Sequence, residues 1–198
     1  MKTIIELFET STEKFSDEIY LWEKTNGKYE GTTYKETRNE VFRFAAGLLK
    51  LGLQKGDRVG LISEGRNAWV IGELGILYAG GINVPLSVKL DAQSELVFRM
   101  KHSGARMLIV SKLQAPKAEE IRSLLPGLET IIYFDGKENP GKGDFSFEEV
   151  KLLGDELLKT EPEKLDAIWK NIKPGDIANI CYTSGTTADP KGIMLSQL

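Results

Sequence analysis

Short apolar runs recur at a regular interval through the middle of the sequence. Four runs, rich in branched side chains, share this character: 59–62, 82–84, 107–110 and 130–133. Their centres lie about 24 residues apart, which leaves room for one crossover helix between parallel strands. Three helix-like segments fill the gaps: 67–79, 93–102 and 116–125. This alternation predicts an α/β fold with a mostly parallel sheet and helices on both faces.

Local signals mark helix starts and turns outside this alternation. Three capping boxes, in which Ser or Thr stands three residues before Glu, predict helix starts after Thr3, Thr33 and Ser146. The second of these helices has four apolar residues on one face: Val41, Ala45, Leu48 and Leu49. Pro162 is well placed as the first residue of a later helix. The Asn26-Gly27 pair predicts a turn between two short strands.

Charge and cysteine content restrict the classes of function. The chain has 26 Lys and Arg against 29 Asp and Glu, which gives a net charge of −3. Because there is no bulk positive field, a nucleic-acid partner is not expected, and a phosphate ligand would have to be held by local donors. The single cysteine excludes a disulfide framework within the chain and indicates a reducing, cytoplasmic compartment.

Neither Cys181 nor the only histidine, His102, is interpreted as catalytic. The two residues are far apart in the sequence, so a thiol–imidazole pair is not expected. Cys181 lies in an apolar run and is interpreted as a packed strand residue. His102 lies near the end of a helix-like segment, where a surface or capping role is expected.

The segment 68–88 has the length and low charge of a membrane-spanning helix. Its only charged residue is Glu73. However, Gly80, Gly81 and Pro85 interrupt a helix, because glycine and proline both disfavour a helix interior. We therefore interpret the segment as a buried helix followed by a buried strand and expect no transmembrane segment.

A polar stretch at 182–192 carries the clearest functional signal. It holds five hydroxyl side chains, two glycines, a proline and a lysine. The apolar run 177–181 leads into it and a second run, 193–195, follows, which predicts a strand, a tight loop and another strand. Successive backbone N–H groups in such a loop can form a nest for an anion, and Lys191 adds positive charge. The pattern favours a polyphosphate ligand over a simple turn.

Two common nucleotide-binding motifs are absent from the sequence. Counting from Gly185, Pro190 stands where the Walker A motif needs its second glycine, and Gly192 stands where it needs Ser or Thr. A G-x-G-x-x-G dinucleotide fingerprint does not occur anywhere in the chain. A phosphate-binding loop here must therefore be of another kind.

The loop resembles the phosphate-binding signature of the adenylate-forming superfamily, which includes acyl-CoA synthetases, luciferases and adenylation domains. The matching residues are Thr183, Ser184, Gly185, Thr186, Thr187, Pro190, Lys191 and Gly192. Further segments from Thr33 onward share the likeness: 53–59, 63–69, 80–86 and 103–105. The sequence is most similar to the amino-terminal part of long-chain fatty-acid–CoA ligases. It departs at Ala188, where the family usually has Gly, and at Gln197, where many relatives have His.

The resemblance implies an AMP-forming acyl-CoA synthetase. A carboxylate and ATP would give an acyl-adenylate and pyrophosphate, and CoA would then take the acyl group as a thioester. Backbone and hydroxyl groups around the loop are implied to bind the ATP phosphates: Thr183, Ser184, Gly185, Thr186 and Thr187. Lys191 is implied to offset phosphate charge, and Thr183 to give its hydroxyl to Mg²⁺, which prefers oxygen ligands.

The resemblance also sets an expected extent. Residues 1–198 would form a truncated N-terminal AMP-binding domain that ends just after the loop at 182–192, without the C-terminal domain. The family's catalytic residues come later in its chains, so none is assigned here, and these residues alone are not expected to form an acyl-adenylate. The acyl chain length, peripheral membrane association and a homodimer stay open.

Two other hypotheses about the function of the chain are retained. In the first, the chain is a catalytically inactive nucleotide-binding module, with Ala188 as the sign of lost activity. In the second, it is a dimerisation module of the same fold, in which the segment before the loop presents an apolar face to a second copy.

Overall fold

The structure, a computed structural model, describes residues 2–183 and 190–198. A small antiparallel hairpin contains β1 (Ile19–Thr25) and β2 (Lys28–Thr33). A seven-stranded sheet contains β3 (Arg58–Ile62), β4 (Ile82–Leu86), β5 (Met107–Val110), β6 (Thr130–Tyr133), β7 (Asp144–Ser146), β8 (Ile177–Tyr182) and β9 (Gly192–Ser196). The α-helices are α1 (Ile4–Phe15), α2 (Tyr34–Lys50), α3 (Asn67–Tyr78), α4 (Val97–Ser103), α5 (Ala115–Arg122), α6 (Phe147–Thr160) and α7 (Pro162–Trp169). One π-helical turn, Ala92–Leu96, leads into α4.

The large sheet is parallel except at one edge. Its strand order is β7-β6-β5-β3-β4-β8-β9. Neighbouring strands from β7 to β8 pair in parallel, and only β9 runs antiparallel, alongside β8. All four apolar runs form strands, and the segments between them form α3, α4 and α5. The predicted mostly parallel sheet is therefore confirmed.

Helices cover both faces of this sheet. Alternate residues of a strand point to opposite sides, so both faces carry side chains that pack under helices. On one face, Val59 and Leu61 of β3 belong to a buried cluster with side chains of α2, α3 and α6. On the other face, Ile62 of β3 and Leu108 of β5 belong to a second buried cluster with side chains of α4 and α5. The strands are buried on both sides, which explains their near-continuous apolar sequence.

Strand β7 was not expected from the sequence. It has three residues, too few to show a periodic pattern, and it follows the predicted polar loop at 135–143. Asp144 of this strand is buried and lies opposite Ile131 of β6. Its carboxylate accepts hydrogen bonds from Lys137 Nζ at 2.9 Å and from the Gly141 backbone N–H at 2.7 Å, and it also pairs with Arg122. The pairing of β7 therefore depends on local contacts together with Ile131 and Arg122, which lie earlier in the chain.

The local signals for helix starts and turns are confirmed. In each capping box, at Thr3, Thr33 and Ser146, both reciprocal hydrogen bonds form. Helix α7 begins at Pro162, as predicted. The Asn26-Gly27 pair joins β1 to β2, and both residues have positive φ, 51° and 83°, the backbone required by a tight hairpin turn.

The segment 68–88 forms most of helix α3 and then strand β4. Seven of the eight positions of α3 from Ile71 to Tyr78 are buried, and Glu73 is the exception. Among residues 2–183 and 190–198, no helix combines the length and the apolarity needed to cross a bilayer. The predicted buried helix and buried strand are confirmed.

Helices α2 and α6 approach each other closely at two glycines. A Cβ added to Gly154 would overlap the backbone carbonyl oxygen of Arg43, and one added to Gly47 would overlap that of Val150. Beside this contact, Arg43 makes a two-point ion pair with Asp155, with both N–O distances 2.8 Å. The close approach lets α2 and α6 form one layer over the sheet.

Replacing Gly154 with alanine is expected to lower the free energy of unfolding by about 3 kcal/mol, because the added methyl group forces two helix backbones apart. Gly175→Ala is the matched control, since nothing lies within 4 Å of a Cβ added at Gly175. Urea denaturation of the two variants measures the difference. Equal unfolding midpoints would contradict the close contact between α2 and α6.

Candidate functional site

The polar loop connects strands β8 and β9, as the sequence predicts. Tyr182 pairs with Gly192 at the end of the antiparallel ladder. One step further, the Thr183 backbone N–H donates a hydrogen bond to the Lys191 carbonyl oxygen over 3.2 Å. This bond closes the base of the loop, so two of the predicted site residues are brought side by side. The remaining predicted residues, Ser184, Gly185, Thr186 and Thr187, together with Ala188, lie outside the described residues.

The base of the loop lies at the carboxyl edge of the parallel sheet. Because β8 runs parallel to β4, it ends at the same edge as β3, β4 and β5. Doubly wound α/β folds bind their ligands at this edge. Thr183 and Lys191 are both exposed there. The chain therefore presents a hydroxyl group and an ammonium group to solvent at the edge where a ligand is expected.

A cavity of about 290 Å³ lies next to the base of the loop. Its walls come from the ends of β4 and β8 and from the segment after β4: Pro85, Leu86, Ser87, Leu90, Glu95, Arg99 and Tyr182. Arg99 is only 5% exposed. Its Nη1 donates to the Glu95 carbonyl oxygen at 2.9 Å, and its guanidinium carbon lies 5.8 Å from the centre of the Tyr182 ring. The Arg99 guanidinium therefore lies beside the strand that enters the loop, and it pairs with the Glu95 carboxylate at 3.8 Å.

His102 contacts the strand that enters the loop, which its sequence position did not reveal. Its Nδ1 lies 2.8 Å from Tyr182 Oη, and its ring stacks on Phe98 with the ring centres 5.5 Å apart. Burial raises the pKa of the Tyr182 phenol, although Ser103 and Arg99 act in the opposite direction. His102 is exposed in the last turn of α4, as predicted, but it also braces β8.

The opposite face of β8 carries a polar network that sequence reasoning missed. Asn83 Nδ2 donates to Glu73 Oε1 at 3.0 Å and to Asn179 Oδ1 at 2.9 Å. Burial raises the pKa of the Glu73 carboxyl, while the amides of Asn83 and Asn179 lower it. The signal that could have revealed this network is an asparagine inside each of two apolar strands, because a buried amide needs partners.

The predicted Mg²⁺ ligand, Thr183, is exposed at the base of the loop. Within the part of the chain that the structure describes, no group of three or more His, Cys, Asp or Glu side chains could hold a metal ion. Magnesium is usually held by one or two protein oxygens together with substrate phosphates and water. A single exposed hydroxyl at the base of the predicted phosphate-binding loop is one oxygen of the kind that Mg²⁺ takes beside substrate phosphates.

The fold matches solved structures of adenylate-forming enzymes. The anthranilate CoA ligase AuaEII, solved in complex with anthranoyl-AMP, matches 99% of this chain with a TM-score of 0.82 and 27% identity, and the chain covers 35% of it. A long-chain-fatty-acid-CoA ligase (FadD1) from Archaeoglobus fulgidus shares the fold over 99% of this chain, with a TM-score of 0.78, 21% identity and 36% of that protein covered. The predicted fold class is therefore confirmed.

Sequence comparison gives the family. The family described as AMP-binding enzyme matches residues 8–198, so the chain belongs to the AMP-binding enzymes. It is 31% identical to the long-chain-fatty-acid–CoA ligase ACSBG2 of Gallus gallus over 199 residues, and 30% identical to ACSBG1 of Homo sapiens over 196 residues. Each match covers 98% of this chain, but only 25% and 27% of these two relatives. The chain thus spans about a quarter of the length of the curated relatives it matches.

Cys181 is expected to react slowly with thiol reagents. Burial raises the pKa of its thiol, and the negative charge of Glu73 raises it further, so less thiolate is present at a given pH. Because Cys181 is the only cysteine, the rate with dithionitrobenzoate at pH 8 reports on this site alone. We expect a rate at least about tenfold below that of free cysteine. A rate equal to that of free cysteine would show that the thiol is not packed in β8.

Proposed function

We propose that this protein is the phosphate-binding part of an AMP-forming acid–thiol ligase. In this reaction a carboxylate oxygen bonds to the α-phosphorus of ATP and the bond to pyrophosphate breaks. The thiol of CoA then attacks the acyl carbon, and AMP leaves. The observation that carries the proposal is the pairing of Thr183 with Lys191 at the carboxyl edge of the sheet, within a chain that belongs to the AMP-binding enzymes.

The residues of the loop have distinct roles in this proposal. Backbone N–H groups and hydroxyls of 183–187 hold the β- and γ-phosphates, since such groups are strong donors to anions. Lys191 offsets the charge of the departing pyrophosphate. ATP would bring Mg²⁺ with its phosphates, and Thr183 would contribute one oxygen ligand to the ion. The residues of this chain thus bind and orient the phosphate tail.

The substrate class is proposed from the relatives. Curated relatives are long-chain-fatty-acid–CoA ligases, and the relative AuaEII was solved with an acyl-adenylate, anthranoyl-AMP. We therefore propose a long-chain fatty acid as the carboxylate substrate and CoA as the acceptor. We also propose a cytoplasmic location, which agrees with the single cysteine of the chain.

ATP titration of the 198-residue chain tests the proposal. Wild-type protein is expected to bind ATP, and Lys191→Ala to weaken binding about tenfold, because one charge-assisted contact to phosphate is lost. Gly185→Val is expected to abolish binding, since a side chain there blocks close approach of the backbone. Isothermal titration calorimetry with and without Mg²⁺ gives the affinities.

Lys142→Ala is the matched control, because Lys142 is also an exposed loop lysine but lies in the segment before β7. Its affinity for ATP should equal that of the wild type. Equal loss of affinity in both lysine variants would mean that ATP responds only to net charge, and would contradict the proposed loop. Carboxylate-dependent pyrophosphate exchange by the chain alone would show that it already holds the catalytic groups.

A further inference from the structure

The strand that carries the phosphate loop is joined to the rest of the sheet by a short backbone ladder. Strand β4 pairs with β8 in register at one residue pair, Asn83 with Asn179. By contrast, β3 pairs with β4 at five successive positions. Among residues 2–183 and 190–198, strand β9 pairs with β8 alone, so it gives the junction no second attachment within the sheet. Side-chain contacts at this junction therefore matter more than they do between the central strands.

The one paired position is also the position where the polar side chains meet. Asn83 is fully buried, and its Nδ2 bridges Glu73 Oε1 and Asn179 Oδ1 over 3.0 and 2.9 Å. Among the described residues, Asn83 Oδ1 has no hydrogen-bond partner. The Asn83 side chain is thus held through its nitrogen alone. If the carboxylate acceptor on α3 were lost, the fully buried Asn83 amide would keep only one of its two hydrogen bonds.

The network sits close to the base of the loop along the same strand. Asn179 is four residues before Thr183, and β8 is continuous between them up to Tyr182. Asn179 and Cys181 share one face of β8, while Ile180 and Tyr182 share the other. On that second face, Tyr182 is braced by His102. A shift of β8 away from β4 would therefore move Thr183 relative to the ends of the parallel strands.

We propose that Glu73 is a positioning residue for the phosphate loop. Its carboxylate, fixed on helix α3, orients the Asn83 amide, which in turn holds Asn179 and so fixes β8 beside β4. In the part of the chain that the structure describes, Glu73 accepts a hydrogen bond from Asn83, so it acts on β8 through the two asparagines. The inference rests on the proposed function, because fixing β8 matters for activity only if the loop that follows it binds the ATP phosphates.

Hydrogen exchange in the absence of ATP tests directly whether Glu73 holds β8 beside β4. Glu73→Leu replaces the carboxylate acceptor with an apolar side chain. In this variant the amides of Ile177–Tyr182 and Gly192–Ser196 should exchange about tenfold faster than in the wild type. Amides of Arg58–Ile62 and Met107–Val110 should not change, because these central strands do not depend on the network. Glu73→Gln, which keeps an oxygen acceptor, should restore the hairpin to within about threefold of the wild type.

Glu119→Leu is the matched control. Glu119 also accepts hydrogen bonds from two side chains, Tyr133 and Lys137, but it faces the other half of the sheet. This variant should leave the exchange of the β8–β9 hairpin unchanged. Should Glu73→Leu not fold, Asn179→Leu serves instead, because it removes the hairpin's own partner and is expected to give the same selective loosening.

Unchanged hairpin exchange in Glu73→Leu or in Asn179→Leu, or an equal rise in every strand, would overturn the proposal. The ATP affinity of the same variants tests whether the position of β8 affects ligand binding. It should fall about tenfold in Glu73→Leu and recover in Glu73→Gln. Loss of affinity in both Glu73 variants alike would also count against a positioning role. If the wild type bound no ATP at all, the proposed function would fail, while the exchange comparison would still decide whether Glu73 fastens the hairpin.

Discussion

The parallel pairing of β8 with β4 determines where the polar loop lies. Parallel strands end at the same edge of a sheet, so this pairing places Thr183 beside the ends of β3, β4 and β5. An antiparallel β8 would have carried the same loop to the opposite edge. The pairing is registered at one residue pair, with the Glu73 network on one face of β8 and His102 on the other. The position of the site thus depends in part on polar contacts at the margin of a large apolar core.

The local charge around the loop differs from the charge of the whole molecule. The chain is acidic overall, with a net charge of −3, so its total field does not attract ATP. Close to the loop, however, Lys191 is exposed, and Arg99 is buried beside Tyr182, where the Glu95 carboxylate at 3.8 Å offsets part of its charge. Positive charge held in a partly dry site acts more strongly on a phosphate than the same charge in water. Specific placement of a few donors therefore replaces a general basic surface.

The sequence predicted most of the fold because the main signals are local. Buried parallel strands read as continuous apolar runs, and capping boxes at Thr3, Thr33 and Ser146 act within one helical turn. The features that were missed depend on residues far apart in the chain. Strand β7 has three residues, and its Asp144 pairs with Arg122, 22 positions earlier; His102 contacts a tyrosine 80 positions later. For the site, the sequence predicted the loop between β8 and β9 and its location at the carboxyl edge of the sheet. The polar network beside β8 was not predicted, because it joins residues of α3, β4 and β8.

The most direct measurement is the hydrogen-exchange footprint of ATP and Mg²⁺ on the wild-type chain. If the loop holds the triphosphate, added ATP should slow exchange in the peptides that span 182–192 and leave those of the amino-terminal hairpin Ile19–Thr33 unchanged. Slower exchange confined to the ends of β5 and β6, or no change at any position under saturating ATP, would contradict a phosphate-binding role for this loop.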